Sequence, residues 1–343
     1  MKRLGVTLQL GNGVPRGELI ELVRLAEERG YEAVFVPESW GYDAITTLTE
    51  LAVQTRRIKL GTGILPVWSR TPALLAMTAA SLDDLSGGRF ILGLGISGPV
   101  VIQDWHGVPF ERPIQRTREA IAIIRLALAG DRVTHDGEIF RVQRFRLDLH
   151  PPRPRIPIYL ASIGPKNLRL TGEVADGWLP IYCSPEGLAS MREEVAVGAK
   201  AVGRDSAPIE VAPYVLACLS EDSEAGRRLA RSHLAYYIGG MGTFYFNLMQ
   251  RSGFGPEAEA IQTAWKRGDR AGAAKHMSDA MLQALSLTGD EAACLAQLDR
   301  FREAGATLPI LMPPRGATPA MVRRTIELLA PNAEPSTSTG DPS

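Results

Sequence analysis

Residues 89–107 read RFILGLGISGPVVIQDWHG, an apolar run followed by the pattern G-x-G-x-x-G. In Rossmann domains this pattern lies in the first strand–helix turn, and its third glycine opens a helix. Here the run is the fourth apolar segment of the chain, and Pro99 follows the third glycine, Gly98. We expect a long irregular loop up to Pro113, and no second strand ends in an acidic residue at the proper distance. The stretch therefore argues against a Rossmann domain.

Eight apolar segments, most of them followed by a helical pattern, run along the chain. They are LGVTLQL (4–10), EAVFVPE (32–38), RIKLGTGILPV (57–67), RFILGLG (89–95), IPIYLAS (156–162), DGWLPIY (176–182), IEVAPYVLACL (209–219) and TLPILMPP (307–314). Nearly continuous apolar strands are typical of parallel sheets that are buried on both faces. Eight β/α units around one core predict an α/β fold of the TIM (β/α)8 barrel type.

We expect one barrel domain over residues 1–330 with two insertions, at about 133–148 and 221–304. The first alternates like a β-hairpin with its turn at an Asp-Gly pair. The second is long and mainly helical. Its aromatic residues at 236–254 belong either to the core or a subunit interface, or to a lid over a substrate pocket. Residues 331–343 are small and polar, which predicts a disordered tail.

Composition excludes several classes of function. The 38 basic and 38 acidic residues cancel, which argues against nucleic-acid and membrane partners. No run approaches a membrane span or a signal peptide, so we expect a cytoplasmic protein. The histidines are isolated from one another, and the three cysteines are scattered, so we expect no metal site. Lys59 begins its strand, whereas a Schiff-base lysine would stand near a strand's carboxyl end. A cofactor-carrying enzyme remains.

Three stretches resemble the luciferase-like superfamily. They are residues 61–99, WHGVPFERP (105–113) and ASIGPKNLRLTGEVADGWLP (161–180). The similarity is greatest to the coenzyme F420-dependent oxidoreductases that include methylenetetrahydromethanopterin reductase, and it extends over roughly residues 2–329. The resemblance implies hydride transfer between a deazaflavin ring and a small organic substrate. It also implies a homodimer, which the apolar second and third helices would suit.

Two other functions stay open. One is an FMN-dependent monooxygenase of the same superfamily, which must also stabilise a flavin–oxygen adduct. The other is a catalytically silent protein that binds a flavin or deazaflavin without turning over a substrate.

The resemblance also implies where the cofactor would bind. Gly63, Ile64 and Leu65 match a bulge after the third strand, in which a non-proline cis bond, here Gly63-Ile64, presses on the back of the ring. Ser97 and Gly98 would face the ribityl chain or the ring edge.

The loop after the fifth strand matches the family's phosphate-binding loop at Ser162, Ile163 and Gly164. The N-terminus of a helix offers unpaired N–H groups to a phosphate. Lys166 could add positive charge there.

Candidate catalytic residues are Glu38, Trp40 and His106. Glu38, Ser39 and Trp40 fall where relatives place residues around the reactive ring face. Glu38 either bonds the ring, shuttles a proton or is a structural carboxylate. Some relatives have an Asp-His pair where this chain has Glu38 and Ser39, which argues against their histidine-based mechanism. His106 either acts as an acid or supports its loop.

Overall fold

The computed structural model describes residues 2–8, 14–153 and 155–331. Its strands are β1 (Gly5–Thr7), β2 (Ala33–Val36), β3 (Lys59–Thr62), β4 (Leu65–Pro66), β5 (Phe90–Gly95), β6 (Val133–Asp136), β7 (Arg141–Phe145), β8 (Ile158–Ala161), β9 (Gly177–Trp178), β10 (Glu210–Val211), β11 (Tyr214–Cys218), β12 (Ser286–Thr288) and β13 (Ile310–Met312).

Its helices are α1 (Arg16–Glu28), α2 (Ala44–Gln54), α3 (Pro72–Leu85), α4 (Pro113–Leu128), α5 (Pro165–Val174), α6 (Pro185–Ala201), α7 (Ser223–Gly240), α8 (Phe244–Arg251), α9 (Gly255–Lys266), α10 (Arg270–Lys275), α11 (Asp279–Leu285), α12 (Glu291–Glu303) and α13 (Pro319–Leu328). A short π-helical segment spans Val100–Trp105.

The parallel sheet contains all eight predicted segments in chain order. Its strands run β1, β2, β3, β5, β8 and β9, then β10 and β11, and then β13, which pairs with β1. The segment 210–218 closes the sheet because β10 pairs with β9 while β11 pairs with β13. The predicted TIM barrel is therefore confirmed. Gln9 and Leu10, the end of the first predicted strand, lie outside the described residues.

Local signals set where the helices begin. Pro72 starts α3, and the side chain of Thr71 accepts the N–H of Leu74 at 3.2 Å. Asp43 likewise accepts the N–H of Thr46 at 2.8 Å at the start of α2. Such caps satisfy donors that the first turn of a helix leaves free, and proline costs nothing there because it has no N–H.

Two cores lie on either side of the barrel wall. Val34 and Val36 of β2 face the outer core between strands and helices, while Ala33 and Phe35 face the inner core that fills the barrel. This alternation follows from the period of two along a strand.

The predicted hairpin is confirmed, since β6 and β7 pair antiparallel. Glu119 of α4 holds its turn, because its carboxylate accepts the N–H groups of Glu138, Ile139 and Phe140 at 2.9 to 3.0 Å. In the second insertion, α7–α12 surround an additional strand, β12, which pairs with β11. The domain boundaries stay predictions, and residues 332–343 of the expected tail lie outside the described part.

The loop before Pro113 is more ordered than expected. Gly98 opens a short helical turn, because its carbonyl accepts the N–H groups of Val101 and Ile102 at 3.1 and 3.0 Å. Val101 and Ile102 are buried, which favours this turn over an irregular loop. The turn follows the fourth barrel strand, so the argument against a Rossmann domain holds.

The expected cis bond at Gly63-Ile64 is wrong, because every peptide bond of the described residues is trans. The change of direction after β3 comes instead from Ile64, whose φ is 151°. A positive φ is a genuine outlier for a β-branched side chain. The N–H of Gly63 donates to Val36 O at 2.7 Å, and a Cβ at Gly63 would lie 2.8 Å from Pro37 N, so this break needs glycine.

Close packing of β3 against β5 gives the first prediction. A Cβ at Gly93 would lie 2.0 Å from the carbonyl oxygen of Thr62. We expect Gly93→Ala to lower the free energy of unfolding by about 1–3 kcal/mol or more, because the two strands must separate. Urea unfolding measures this change. The control is Gly17→Ala in α1, where a Cβ meets nothing within 4 Å. Equal stability of Gly93→Ala and the unaltered protein would contradict the packing.

Candidate functional site

The carboxyl ends of the barrel strands surround a cavity of about 460 Å³. Its walls are the segments that follow β2, β3, β5, β8, β9 and β13, together with parts of α7 and α8. The volume lies within the range of small-molecule sites, and this end of a TIM barrel is where such enzymes bind their ligands.

The structure brings nine of the twelve predicted site residues together around this cavity. The nine are Glu38, Trp40, Gly63, Ile64, Ser97, Gly98, Ser162, Ile163 and Gly164. Leu65 is buried in β4, while Lys166 and His106 are exposed on α5 and after the π-helical segment, and none of these three lines the cavity.

Unusual backbone conformations concentrate at the cavity. Among the described residues, five that are not glycine have a positive φ, and three of the five line the cavity. These three are Ile64, Ser97 and Tyr182, with φ values of 151°, 54° and 54°. Such conformations cost of order 1–3 kcal/mol each and persist where the surrounding structure fixes them, often at ligand sites.

The loop before α5 presents free backbone donors. The N–H groups of Ile163, Gly164 and Lys166 have no acceptor among the described residues, and no side chain caps the helix. A Cβ at Gly164 would meet nothing within 4 Å, so this side of the loop is open. The arrangement suits a phosphate.

Neighbouring side chains fix this loop in place. Trp178 donates its Nε1–H to Ser162 O at 2.9 Å, and the Ser162 hydroxyl bonds that of Thr171 at 2.7 Å. Because the Ser162 hydroxyl is engaged by Thr171, the donors that the loop offers to a ligand are its backbone N–H groups. Arg251 of α8 donates to Ile163 O at 3.1 Å and adds a cation beside the loop. Sequence reasoning missed Arg251, since it lies 88 residues from its partner.

Glu38 is held in an ion pair. Arg70 donates to both of its carboxylate oxygens, at 2.5 and 2.9 Å, and to Asp43 at 2.6 Å. The hydrogen bond from Arg70 to Glu38 raises the pKa of the Arg70 guanidinium. With both oxygens engaged, Glu38 fits the structural alternative better than a proton shuttle.

A tyrosine–histidine pair also lines the cavity. The hydroxyl of Tyr182, after β9, lies 2.8 Å from Nε2 of His233 on α7. Nδ1 of His233 accepts the backbone N–H of Arg315 at 2.9 Å. A neutral imidazole whose Nδ1 accepts a bond carries its proton on Nε2, so His233 donates to Tyr182. The hydroxyl hydrogen of Tyr182 is then left for another acceptor, and the Tyr237 hydroxyl beside it is such an acceptor, whose hydrogen bond adds to the effect of burial in raising the pKa of Tyr182.

Burial keeps this pair neutral. It lowers the pKa of His233 to about 3, with a further contribution from the charge of Arg315. Burial also raises the pKa of Tyr182 well above its usual value, and it does the same for Tyr237 and Tyr245 nearby. Sequence reasoning counted His233 only as an isolated histidine. Its one signal was the aromatic run at 236–254.

Two buried polar atoms at the cavity lack partners. They are Oδ1 of Asn167 and the hydroxyl of Tyr214, and neither has a hydrogen-bond partner among the described residues. Unpaired buried polar atoms are costly, so a ligand that carries hydroxyl groups would satisfy them. Within the described residues, no cluster of three or more His, Cys, Asp or Glu could hold a metal ion, and no helix is long and apolar enough to cross a membrane.

The buried imidazole predicts sensitivity to acid. Between pH 6.5 and 3 the unfolded chain protonates His233 but the folded protein does not, so its contribution to stability is lost as the pH falls. From pH 7 to 5 this contribution amounts to about 2 kcal/mol. His233→Asn keeps an acceptor for the N–H of Arg315 but has no imidazole to protonate. Between pH 7 and pH 5 we therefore expect its free energy of unfolding, measured by urea titration, to fall by about 2 kcal/mol less than that of the unaltered protein. An identical fall in both proteins would contradict a neutral His233.

The chain is similar to a known family and to several named proteins. The family described as luciferase-like monooxygenase matches residues 3–308. A Mycobacterium tuberculosis protein with the provisional name of coenzyme F420-dependent oxidoreductase is 34% identical over 327 residues, which cover 90% of this chain and 94% of that protein. A 5,10-methylenetetrahydromethanopterin reductase of Methanolobus tindarius is 33% identical over 302 residues, covering 87% and 91%.

A solved structure agrees with both sequence matches. The coenzyme F420-dependent tetrahydromethanopterin reductase of Methanopyrus kandleri aligns with a TM-score of 0.84 and 26% identity over 96% of this chain and 97% of the other. The resemblance seen in the sequence, to the superfamily and to its F420-dependent branch, is thereby confirmed. This chain belongs to the luciferase-like family of enzymes.

Proposed function

We propose that the protein is a coenzyme F420-dependent oxidoreductase that transfers a hydride between the deazaflavin ring and a small organic substrate. The observation that carries this proposal is one cavity that is lined both by Ile64 and by the loop at 162–164, where the N–H groups of Ile163 and Gly164 have no acceptor among the described residues. The relatives named for F420 at 33–34% identity support the same cofactor.

The residues present fit such a cofactor. The N–H groups of Ile163 and Gly164, with Arg251 beside them, would hold its phosphate. Asn167 Oδ1, which has no partner among the described residues, would accept a bond from a hydroxyl of the ribityl chain. Ile64 would brace the ring from behind.

When bound in its reduced form, F420 supplies a hydride from its ring. The protein orients the ring and substrate, and the apolar walls of the cavity keep water away. Tyr182 then has one chemical task. Its oxygen accepts from His233, and a substrate oxygen or nitrogen on which charge develops would replace Tyr237 as the acceptor of its hydrogen.

The protein also has features that fit a cytoplasmic homodimer, and both assignments are proposals. Its three cysteines are free and buried, which suits a reducing compartment. Four apolar side chains of α2 and α3 are exposed, as expected of a subunit interface. They are Val53, Leu74, Met77 and Leu85.

Fluorescence titration tests the choice of cofactor. We expect the protein to bind F420 more tightly than FMN. Gly164→Asp keeps the fold, since nothing lies within 4 Å of its Cβ, but places a carboxylate against the phosphate. We expect at least a tenfold loss of F420 affinity, about 1.4 kcal/mol. The matched control is the phosphate-free deazariboflavin, whose affinity should not change. Tighter binding of FMN, with oxygen-dependent turnover, would instead support the monooxygenase.

Anaerobic turnover tests the role of Tyr182. With a carbonyl compound that the unaltered protein reduces, we expect Tyr182→Phe to lower kcat by about 10²–10⁴-fold, because general acids contribute that much. Its dissociation constant for F420 should be unchanged. His233→Asn should lower kcat less and leave KM alone. An unchanged kcat in Tyr182→Phe would contradict the role, and no substrate-dependent oxidation of reduced F420 by the unaltered protein would favour a silent binding protein.

A further inference from the structure

We propose that the substrate is an organic anion with an apolar or aromatic body, and that Arg315 binds its carboxylate. The inference rests on the proposed function, because it assigns the part of the cavity that the cofactor would leave free. It names a substrate class for that part and a residue that selects it.

Arg315 is a half-buried cation fixed at the cavity wall. It follows β13 and lines the cavity. Its backbone N–H is bound to His233, and its guanidinium lies 4.7 Å from the ring centroid of Tyr236 and 5.5 Å from that of Trp40. Stacking on two aromatic rings holds a guanidinium in place while leaving its N–H edge free for a planar, bidentate acceptor.

No carboxylate of the described residues pairs with Arg315, in contrast to Arg70. Arg70 contacts both Glu38 and Asp43 and lies outside the cavity lining. Of the residues that are not described, 9–13 contain no acidic side chain, whereas 332–343 contain Glu334 and Asp341. A half-buried cation without a counter-ion attracts an anionic ligand more strongly than a fully solvated one does.

Arg315 is the charged side chain of the cavity lining that has no assigned partner among the described residues. The charged side chains there are Glu38, Arg251 and Arg315. Glu38 pairs with Arg70, which it shares with Asp43 outside the lining, and His233 is neutral at working pH because its pKa is about 3. Arg251 lies against the loop at 162–164, where the phosphate would bind. Arg315 is therefore the cation of this lining that has neither a carboxylate partner among the described residues nor a contact with that loop.

The two arginines serve different parts of the barrel. Arg251 contacts the loop after β8, whereas Arg315 follows β13, and β9 and the strand pair β10–β11 separate β8 from β13 in the sheet. Arg315 instead contacts Trp40, which follows β2, and His233, which holds Tyr182. The carboxylate site thus adjoins the proposed donor to the reacting atom.

The walls near Arg315 define the rest of the substrate. Tyr236 and Trp40 lie against the guanidinium of Arg315, and the second insertion adds Tyr237, Met241, Phe244 and Tyr245 to the lining of the same cavity. Tyr237 and Tyr245 stay neutral because burial raises the pKa of each phenol. Such walls bind an apolar body, while the single cation fixes its orientation.

Matched neutral and anionic probes test the proposal. Benzoate and benzamide have the same shape and differ in charge, and their binding is followed by calorimetry with deazariboflavin present. We expect the unaltered protein to bind benzoate at least tenfold more tightly than benzamide. Arg315→Gln should abolish this preference, and Arg315→Lys should restore part of it. Arg251→Gln should keep the preference for benzoate while lowering the affinity for F420.

Other outcomes would overturn the inference. They are equal binding of benzoate and benzamide by the unaltered protein, a preference that persists in Arg315→Gln, and a preference lost in Arg251→Gln instead. A loss of F420 affinity in Arg315→Gln without a loss of deazariboflavin affinity would show that Arg315 holds the cofactor's acidic tail, and would also overturn it. Failure of the unaltered protein to bind F420 or deazariboflavin, seen in the same titrations, would count against the proposed function instead.

Discussion

Parallel pairing of the barrel strands is the constraint on which the site depends. Because all eight strand segments run the same way, the chain leaves each of them at the same end of the barrel. Glu38, Ile64, Ser97, Gly164, Tyr182 and Arg315 come from six different segments, yet all line one cavity. No local sequence motif brings them together; the sheet does.

Rigid neighbours then fix each group that the sheet delivers. Trp68 donates its Nε1–H to Ile96 O at 2.9 Å and holds the loop after β5, as Trp178 holds the loop after β8. Ile64 packs its side chain over Gly95, where a Cβ would lie 3.1 Å from it. These contacts maintain the positive φ angles at the cavity, so the site is shaped before a ligand arrives.

The sequence predicted what local chemistry determines. Apolar runs located the eight strands, and prolines located the starts of α3, α5, α6 and α13, because both signals act within a few residues. Nine of the twelve site residues that the family resemblance implied line the cavity. Lys166 shows where this approach loses accuracy: it follows the loop in sequence, but helix geometry turns it outward and Asn167 inward.

Contacts between distant segments were beyond sequence reasoning. The pair of Tyr182 and His233 joins residues 51 apart, the bond from Arg315 to His233 spans 82, and Glu38 and Arg70 are 32 apart. Each depends on how the second insertion or a neighbouring loop packs, which no periodicity encodes. The bond at Gly63-Ile64 has the ordinary trans state, and its expected cis state came from the family resemblance alone.

A crystal structure of the protein with F420 would test the central claim most directly. We expect the flat face of the ring to lie against Ile64 and the phosphate to lie within hydrogen-bond distance of the N–H of Gly164, with the cavity beside Arg315 still open. A phosphate bound at another loop, or a ring lying away from Ile64, would contradict it.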